Sequence, residues 1–503
     1  MEFLTVLFSL LLAVVISVFY FRNFFRGWFA DRKKRFHPIA TTVYHRILNY
    51  DRLHDYMTDL FRKNKTFRIV GPGYTGVYTT DPANVEHILK NNFPNYAKGK
   101  HHYDILSGLV GDGIFSVDGE KWRHQRKIAS YDFSTKVLRD FSSHVFRSNA
   151  VKLASFISDA ATADETLNIQ DVFMKSTLDS IFKVGFGTDL DTLCGSNEEG
   201  RKFAEAFDAS SELTFWRYAD PLWKLKKRFN VGTEAVLNEK TKALDDFVYK
   251  LIKKKREISG PKDSAKKEDM FSRFLAMSEE DPEKMNDHYM RDIILSFVVA
   301  GKDSTSLTLS WILYVLCKNP WMQEKIAREV EEATGVTGST PAEKYVESLT
   351  EEAINKMHYL HAALTETLRL YPAIPMDGKL CMKDDTLPDG FNVKKGDNVV
   401  YVPYAMGRMK FLWGDDAEVF RPERWIGADG NFRPESPFKF TAFQAGPRIC
   451  LGREFAYRQM KIFMAVLLRY FRFKLADENM VAKYKITLTL QFHAGLQVLA
   501  YHA

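Results

Sequence analysis

The chain has 503 residues, 45% hydrophobic and 27% charged, a balance that suits a large packed core and excludes a disordered or low-complexity polymer. Its formal charge of +7 comes without a long basic run, zinc-finger spacing or aromatic RNA-binding signature, so no nucleic acid is expected as a partner; a mild basic excess suits an anionic membrane surface or an acidic protein. The four cysteines, Cys194, Cys317, Cys381 and Cys450, form no C-x-x-C pair, which argues against a zinc site and a disulfide framework.

Residues 3–21, FLTVLFSLLLAVVISVFYF, carry no charge and are long enough to cross a bilayer core. Only Glu2 precedes the run and bulky Phe19, Tyr20 and Phe21 close it, unlike a cleaved signal peptide. Arg22, Arg26, Arg32, Lys33, Lys34 and Arg35 follow, so the positive-inside rule predicts a single-pass anchor with the remainder cytosolic. The expected organisation is an anchor at 1–21, a basic linker at 22–40 and one large domain at 41–503.

Helical periodicity dominates from about residue 134 to 371, and strand-like runs occur at 67–79 and 486–499. Asp389-Gly390, inside LPDGFNVKKGDNVVYVPY at 387–404, predicts a turn between two strands. The predicted class is mainly α with small β-sheets, an α+β fold.

Several stretches carry chemistry. In WRHQRK, 122–127, Trp122 and Arg126 are one helical turn apart and can reach one carboxylate. Residues 290–320 read as a long apolar helix ended by Asn319-Pro320, its middle broken by Gly301, Lys302, Asp303, Ser304 and Thr305. Polar groups at the centre of a buried helix need partners or a task. Glu366 and Arg369, in YLHAALTETLRLYP, stand three apart on one helix face as an ion pair, and the helix ends at Pro372.

The loop FQAGPRICLG, 443–452, sets Cys450 between Gly446 and Gly452, with Phe443 and Arg448 at fixed spacing. A cysteine thiolate is an electron-donating ligand to haem iron, and glycines let backbone approach a flat macrocycle. Backbone N–H groups can tune the sulfur, Arg448 can pair with a haem propionate, and Phe443 can pack beside the sulfur.

This loop resembles the haem-binding loop of the cytochrome P450 family, with every fixed position filled. The resemblance implies the cytochrome P450 fold behind an N-terminal transmembrane helix, haem b, and NADPH used indirectly through a reductase. It implies Cys450 as the iron ligand, with Trp122, Arg126, Arg448, Phe443, Gly446 and Gly452 around the haem. It implies a Glu–Arg–Arg network of Glu366, Arg369 and Arg424 that holds the cysteine loop, although Trp425 in FRPERW replaces the family's usual Phe. AGKDST, 300–305, resembles the oxygen-activating motif, assigning proton delivery to Asp303 and Ser304 with Thr305 next in line; Ser304 departs from the usual Thr. Arg123 and Lys127 are expected to face an acidic redox partner.

The resemblance further places a substrate pocket between residues 95–122, 370–377 and 487–492, with Ile105, Leu106, Phe115, Ile374, Met376, Leu488 and Leu490 as apolar walls. GDGIF, VDGE and DPLWKLKKRFN resemble the land-plant long-chain fatty acid omega-hydroxylases. DPLWKLKKRFN also reads as a membrane-facing patch, Leu222, Trp223 and Leu225 beside Lys224, Lys226, Lys227 and Arg228. The family's proline-rich hinge is missing; only Pro38 remains. The expected function is omega hydroxylation of long-chain fatty acids at the endoplasmic reticulum membrane. The alternatives are a reductase-independent hydroperoxide isomerase or dehydratase, a monooxygenase of sterols or terpenoids, and a non-catalytic haem or lipid binder; Asp303 with Ser304 argues against the first and the last.

Overall fold

The computed structural model describes residues 34–258 and 269–503. The expected anchor at 3–21, most of the basic linker and the polar segment around 259–268 lie outside the described residues. No helix among the described residues is long and apolar enough to cross a membrane. The chain divides into two compact units, residues up to 97 with 378–402, and residues 98–377 with 403–503.

The first unit is built on strands. β1 (Ile39–Thr42) leads into the short helix α1 (Val43–Leu48), and β2 (Thr66–Gly71) turns into β3 (Tyr74–Thr79). Pro72 followed by Gly73 at φ +65° supplies the turn that joins β2 and β3. With β4 (Tyr96–Ala97), β5 (Asp377–Cys381) and a later strand, β8 (Asn398–Tyr401), they form a six-stranded sheet in the order β1-β2-β3-β8-β5-β4. β3 pairs antiparallel with β2 and parallel with β8. The predicted Asp389-Gly390 turn forms, with Gly390 at φ +83°, between β6 (Asp385–Thr386) and β7 (Asn392–Val393). These strands are only two residues long. A second turn, with Gly396 at φ +91°, redirects the chain so that β8 joins β3 rather than the hairpin.

The second unit is helical. It contains α2 (Gly99–Val110), α3 (Gly119–Ser134), α4 (Lys136–Thr162), α5 (Ile169–Phe186), α6 (Glu198–Trp216), α7 (Asp287–Gly301), α8 (Asp303–Lys318), α9 (His358–Leu370) and α10 (Arg453–Tyr470), among others. α5 is buried on nearly every side, and α8 packs against it and against α9. The two N-terminal amides of α9, Tyr359 and Leu360, are satisfied at 2.5 and 2.8 Å by the Glu329 carboxylate instead of a local cap. A small sheet pairs β9 (Phe471–Leu475), β12 (Gln497–His502) and Leu167–Asn168, and a ribbon pairs β10 (Tyr484–Ile486) with β11 (Leu490–Phe492). The mainly helical class with small sheets is observed.

Candidate active site: a cysteine loop facing a broken helix

The cysteine loop is closed by backbone. The Cys450 N–H donates to the Phe443 carbonyl at 2.8 Å and the Ile449 N–H to Gly446 at 3.0 Å. Two left-handed residues make this possible, Gln444 at φ +57° and Gly446 at φ +66°; glycine adopts that region freely, glutamine at a cost. The loop runs into α10, so the sulfur stands before a helix N-terminus, a position that favours a thiolate. Burial pushes the thiol pKa up, while the Gly452 N–H and the charges of Arg126 and Arg453 pull it down. Cys450 is nevertheless accessible to solvent. A sulfur that is both closely surrounded and accessible faces an internal cleft.

Phe133 of α3 connects this loop to α7. A Cβ at Gly452 would meet the Phe133 ring at 3.8 Å and the Cys450 sulfur at 4.0 Å, both ordinary contacts. No protein atom therefore demands glycine at 452; its open side is the cleft. The other neighbours of Phe133 are Phe455 of α10 and Phe297 of α7, with ring centroids 6.1 and 6.4 Å away. Phe297, Ala300 and Ser304 follow at helical spacing on one face. Ala300 is exposed although fully buried Val298 is its near neighbour, which puts a second accessible surface inside the molecule.

The helix predicted over 290–320 is two helices, interrupted at Lys302 (φ −74°, ψ −70°). The cause is a diverted carbonyl. Lys302 O accepts the Thr177 hydroxyl from α5 and the Ser306 hydroxyl, both at 2.9 Å, and its helical bond from Ser306 N–H lengthens to 3.4 Å. Gly301 lets α7 lie against α5, because a Cβ there would come within 2.9 Å of Ile181. Ser304 Oγ donates to the Ala300 carbonyl at 2.7 Å, on the cleft face. Thr305 is buried. Asp303 is not free: Lys302 Nζ bonds it at 3.0 Å and Asp208 of α6 at 2.5 Å. Burial opposes the Lys302 charge, but the two carboxylates outweigh it and hold its pKa above the ordinary value.

Around the cysteine, Arg448 Nη2 donates to Asp118 Oδ1 at 2.7 Å and to the Val117 carbonyl at 2.9 Å, and its guanidinium lies 4.4 Å from the buried Trp122 ring. Asp118 also accepts the Lys98 and Gly99 amides, and Lys98 with Gln444 holds Asp377. Arg126 has no carboxylate partner among the described residues; burial lowers its pKa, against a favourable interaction with the Cys450 sulfur. Of these two neighbouring guanidiniums only Arg448 has a carboxylate partner, Asp118. That arrangement fits a group bearing two carboxylates of its own, as haem does.

The Glu366–Arg369 pair of α9 is completely buried and bidentate, with both contacts at 2.7 Å. Arg369 also donates to the carbonyls of Gly407, Ala417 and Val419. The expected third member, Arg424, reaches Glu366 only at 3.4 Å and divides its donors between Trp413 O and Asp416. Trp425 Nε1 bonds Glu366 at 2.8 Å. The link to the cysteine loop is one residue earlier on α9, where Thr365 hydrogen-bonds Tyr457 at 2.8 Å and the Tyr457 ring lies 5.3 Å from Phe443.

Among the expected walls, Phe115, Ile374, Met376 and Leu488 keep accessible surface. Ile105 and Leu490 have none, and Leu106 belongs to the same packed cluster as Ile105. Ile105 and Leu490 are also fixed through their backbones: Leu490 carries the Trp311 hydrogen bond on its carbonyl, and the Ile105 carbonyl is held by Arg217. Trp223, expected on a membrane-facing patch, is instead buried under Arg217, 4.8 Å from the ring, while Leu222, Leu225 and Phe229 keep exposed apolar surface beside exposed Lys224, Lys227 and Arg228. The GDG run is explained by Asp292 of α7, which accepts the Asp112 amide at 2.8 Å and occupies the space a side chain at Gly111 would need.

Sequence reading missed Asp118, Phe133, Thr177 and Asp208. All four act across long sequence separations, where no local pattern signals them; Lys302, although visible, gave no hint of its two carboxylates.

The family description Cytochrome P450 matches residues 34–495. The chain is similar to cytochrome P450 704C1 of Pinus taeda, 50% identical over 490 residues that cover 95% of this chain and 94% of that protein. It is 42% identical to cytochrome P450 704B1 of Arabidopsis thaliana, covering 92% and 93%. Cytochrome P450 CYP94D108 of Paris polyphylla is 39% identical, covering 90% and 89%.

Proposed function

Because the chain belongs to the cytochrome P450 family, we propose that it hydroxylates long-chain fatty acids at the terminal carbon, anchored in the endoplasmic reticulum membrane by residues 3–21 and fed by an NADPH-dependent reductase. Members of the family are haem-dependent monooxygenases that take electrons from a redox partner and act on lipophilic substrates. One observation carries the assignment of this site: Phe133 touches the Cys450 loop and the α7 face that continues through Ala300 to Ser304.

Haem iron held by a cysteine thiolate supplies O–O cleavage and the oxygen atom that enters the substrate. Cys450 Sγ would hold the iron as a thiolate, with the Gly452 N–H as its hydrogen-bond donor. Arg126 and Arg448 would hold the haem carboxylates, with the Trp122 ring packed against the Arg448 guanidinium. The Ser304 hydroxyl donates to the Ala300 carbonyl at rest, and would turn from it to pass its proton into the cleft while accepting another. Asp303, the next residue back, is paired as a carboxylate with the Lys302 ammonium, and would accept a proton from solvent before handing it on.

Phe115, Ile374, Met376 and Leu488 offer apolar contact to an alkyl chain, at about 0.8 kcal/mol for each methylene buried. Internal methylenes have weaker C–H bonds than the terminal methyl, so terminal oxidation requires walls that admit the chain end-on. The test is microsomal expression with a plant reductase, dodecanoic to octadecanoic acids beside sterols and terpenoids, and mass spectrometry of the products. Terminal hydroxy acids are expected; oxidation of the ring compounds alone, or mid-chain products alone, rejects the substrate assignment.

A further inference from the structure

Two carboxylates tie the start of α2 to the cysteine loop, and the proposed reaction uses neither. Asp118, the residue before α3, accepts the Lys98 amide at 3.0 Å on Oδ1 and the Gly99 amide at 3.1 Å on Oδ2. Lys98 stands at the N-terminus of α2 and offers no side-chain cap, so Asp118 caps that helix from 20 residues away. The same Oδ1 accepts Arg448 Nη2 at 2.7 Å. Beside it, Asp377 accepts Lys98 Nζ and Gln444 Nε2, both at 2.9 Å. Lys98 is thus bridged to Arg448 through its backbone and to Gln444, the left-handed residue of the loop, through its side chain.

The two bridges differ in charge. Asp377 and the Lys98 ammonium are both nearly buried and neutralise each other. Asp118 has only a share of Arg448, a guanidinium two residues from Cys450 that would also serve a haem carboxylate. The cluster holds three cations, Lys98, Arg126 and Arg448, against two carboxylates, Asp118 and Asp377. Haem brings two carboxylates of its own, so negative groups outnumber positive ones once it is bound. Such an excess opposes the uptake of an electron by the iron, because reduction makes the centre one unit less positive. Capping α2 does not demand this charge, since Ser and Asn cap a helix as well as Asp.

We propose that Asp118 is a positioning residue that keeps the reduction potential of the haem iron low, by setting a full negative charge on Arg448. Its two bonds to the α2 amides fix where that charge stands, and its bond to Arg448 joins it to the group that would hold the haem. The inference rests on the haem reading of this site, but not on the substrate or on the carbon oxidised.

The test is a spectroelectrochemical titration of the full-length haem protein, free of substrate, beside three variants. Asp118→Asn keeps an acceptor of the same size and removes the charge. It should raise the midpoint potential, favouring the reduced iron by about threefold or more, ~28 mV for one electron. Asp118→Ser, a second neutral cap, should shift in the same direction. Asp118→Glu keeps the charge and should stay near the wild-type potential. An unchanged or lower potential in both neutral variants overturns the proposal. An equal rise in Asp118→Glu also overturns it, because the effect would then come from geometry and not from charge. Haem content and the carbon monoxide band are read on every sample. Loss of haem from both neutral variants, with Asp118→Glu still loaded, would assign Asp118 to holding the loop alone and reject the proposal. A wild-type protein that lacks the thiolate band fails the haem reading itself, whereas an intact band with an Asp118-independent potential rejects only the role of Asp118.

Discussion

Trp425 Nε1 donates to Glu366 Oε2 at 2.8 Å, closer than the 3.4 Å at which Arg424 approaches the other carboxylate oxygen. The indole therefore completes the shell of a buried carboxylate that also accepts Arg369 and the Arg421 amide. Trp425→Phe, the residue usual in the family, should here cost about 1–3 kcal/mol, because it strands a buried acceptor. Arg369→Leu should cost about 3–5 kcal/mol by leaving Glu366 charged and unpaired. Thermal unfolding of the two variants should rank them in that order, and Arg424→Ala should fall below both.

The motifs were legible because each is local. The Cys450 loop, the Glu366–Arg369 pair and the Asp389-Gly390 turn are fixed by spacing within a few residues, and they fold as read. The break at Lys302 was legible as polar residues in an apolar helix, but its mechanism needs Thr177, over a hundred residues away. Wall residues are not legible in this way. Apolar character cannot separate Ile105, packed in the core, from Ile374, which keeps accessible surface. The role of Trp425 was hidden because an indole reads as a large apolar residue until its N–H finds Glu366.

Cys450 should be the single cysteine needed for thiolate ligation. Cys450→Ala and Cys450→His should both lose the carbon monoxide difference band that marks a thiolate-bound haem. Cys194 is exposed, Cys317 partly buried and Cys381 buried, and each should be replaceable by serine or alanine with the band intact. A band that survives in Cys450→Ala rejects the ligand assignment.

Ser304→Ala should divert reduced nicotinamide into peroxide, since it removes the hydroxyl held by Ala300. Ser304→Thr should keep coupling or improve it, because the added methyl stiffens the rotamer without removing the oxygen. Thr305→Ala should leave coupling nearly unchanged, as Thr305 is buried away from the accessible Ala300 surface. Peroxide yield per nicotinamide consumed is the measurement; uncoupling by Thr305→Ala alone would move the relay by one residue.

His361 lies between the Tyr457 ring, 4.2 Å away and stacked, and Phe432, 4.1 Å away and edge-on. Burial, aided by the charge of Lys461, lowers its pKa from 6.5 to about 3. The folded state therefore favours the neutral ring. The stability it contributes is complete above about pH 6.5, the ordinary histidine value, and is lost as pH falls toward 3. His361→Phe should flatten the unfolding midpoint across that window while a wild-type chain loses stability there. A parallel fall in both proteins would place the acid-sensitive group elsewhere.

Lys302 joins Asp208 of α6 to Asp303 at the head of α8, and its ammonium is almost wholly buried. Asp208 is accessible, yet burial raises its carboxyl pKa, so it too faces a confined space. Lys302→Met keeps the stem packed on the helix and removes only the charge. It should cost about 2–3 kcal/mol, less than a fully buried pair because Asp208 retains access to water. Adding Asp208→Asn should restore part of that loss, since one of the two stranded charges is then gone. A double-mutant cycle on unfolding free energy measures the coupling. Strict additivity of Lys302→Met and Asp208→Asn would mean that the bond between them contributes nothing to holding the broken helix against α6.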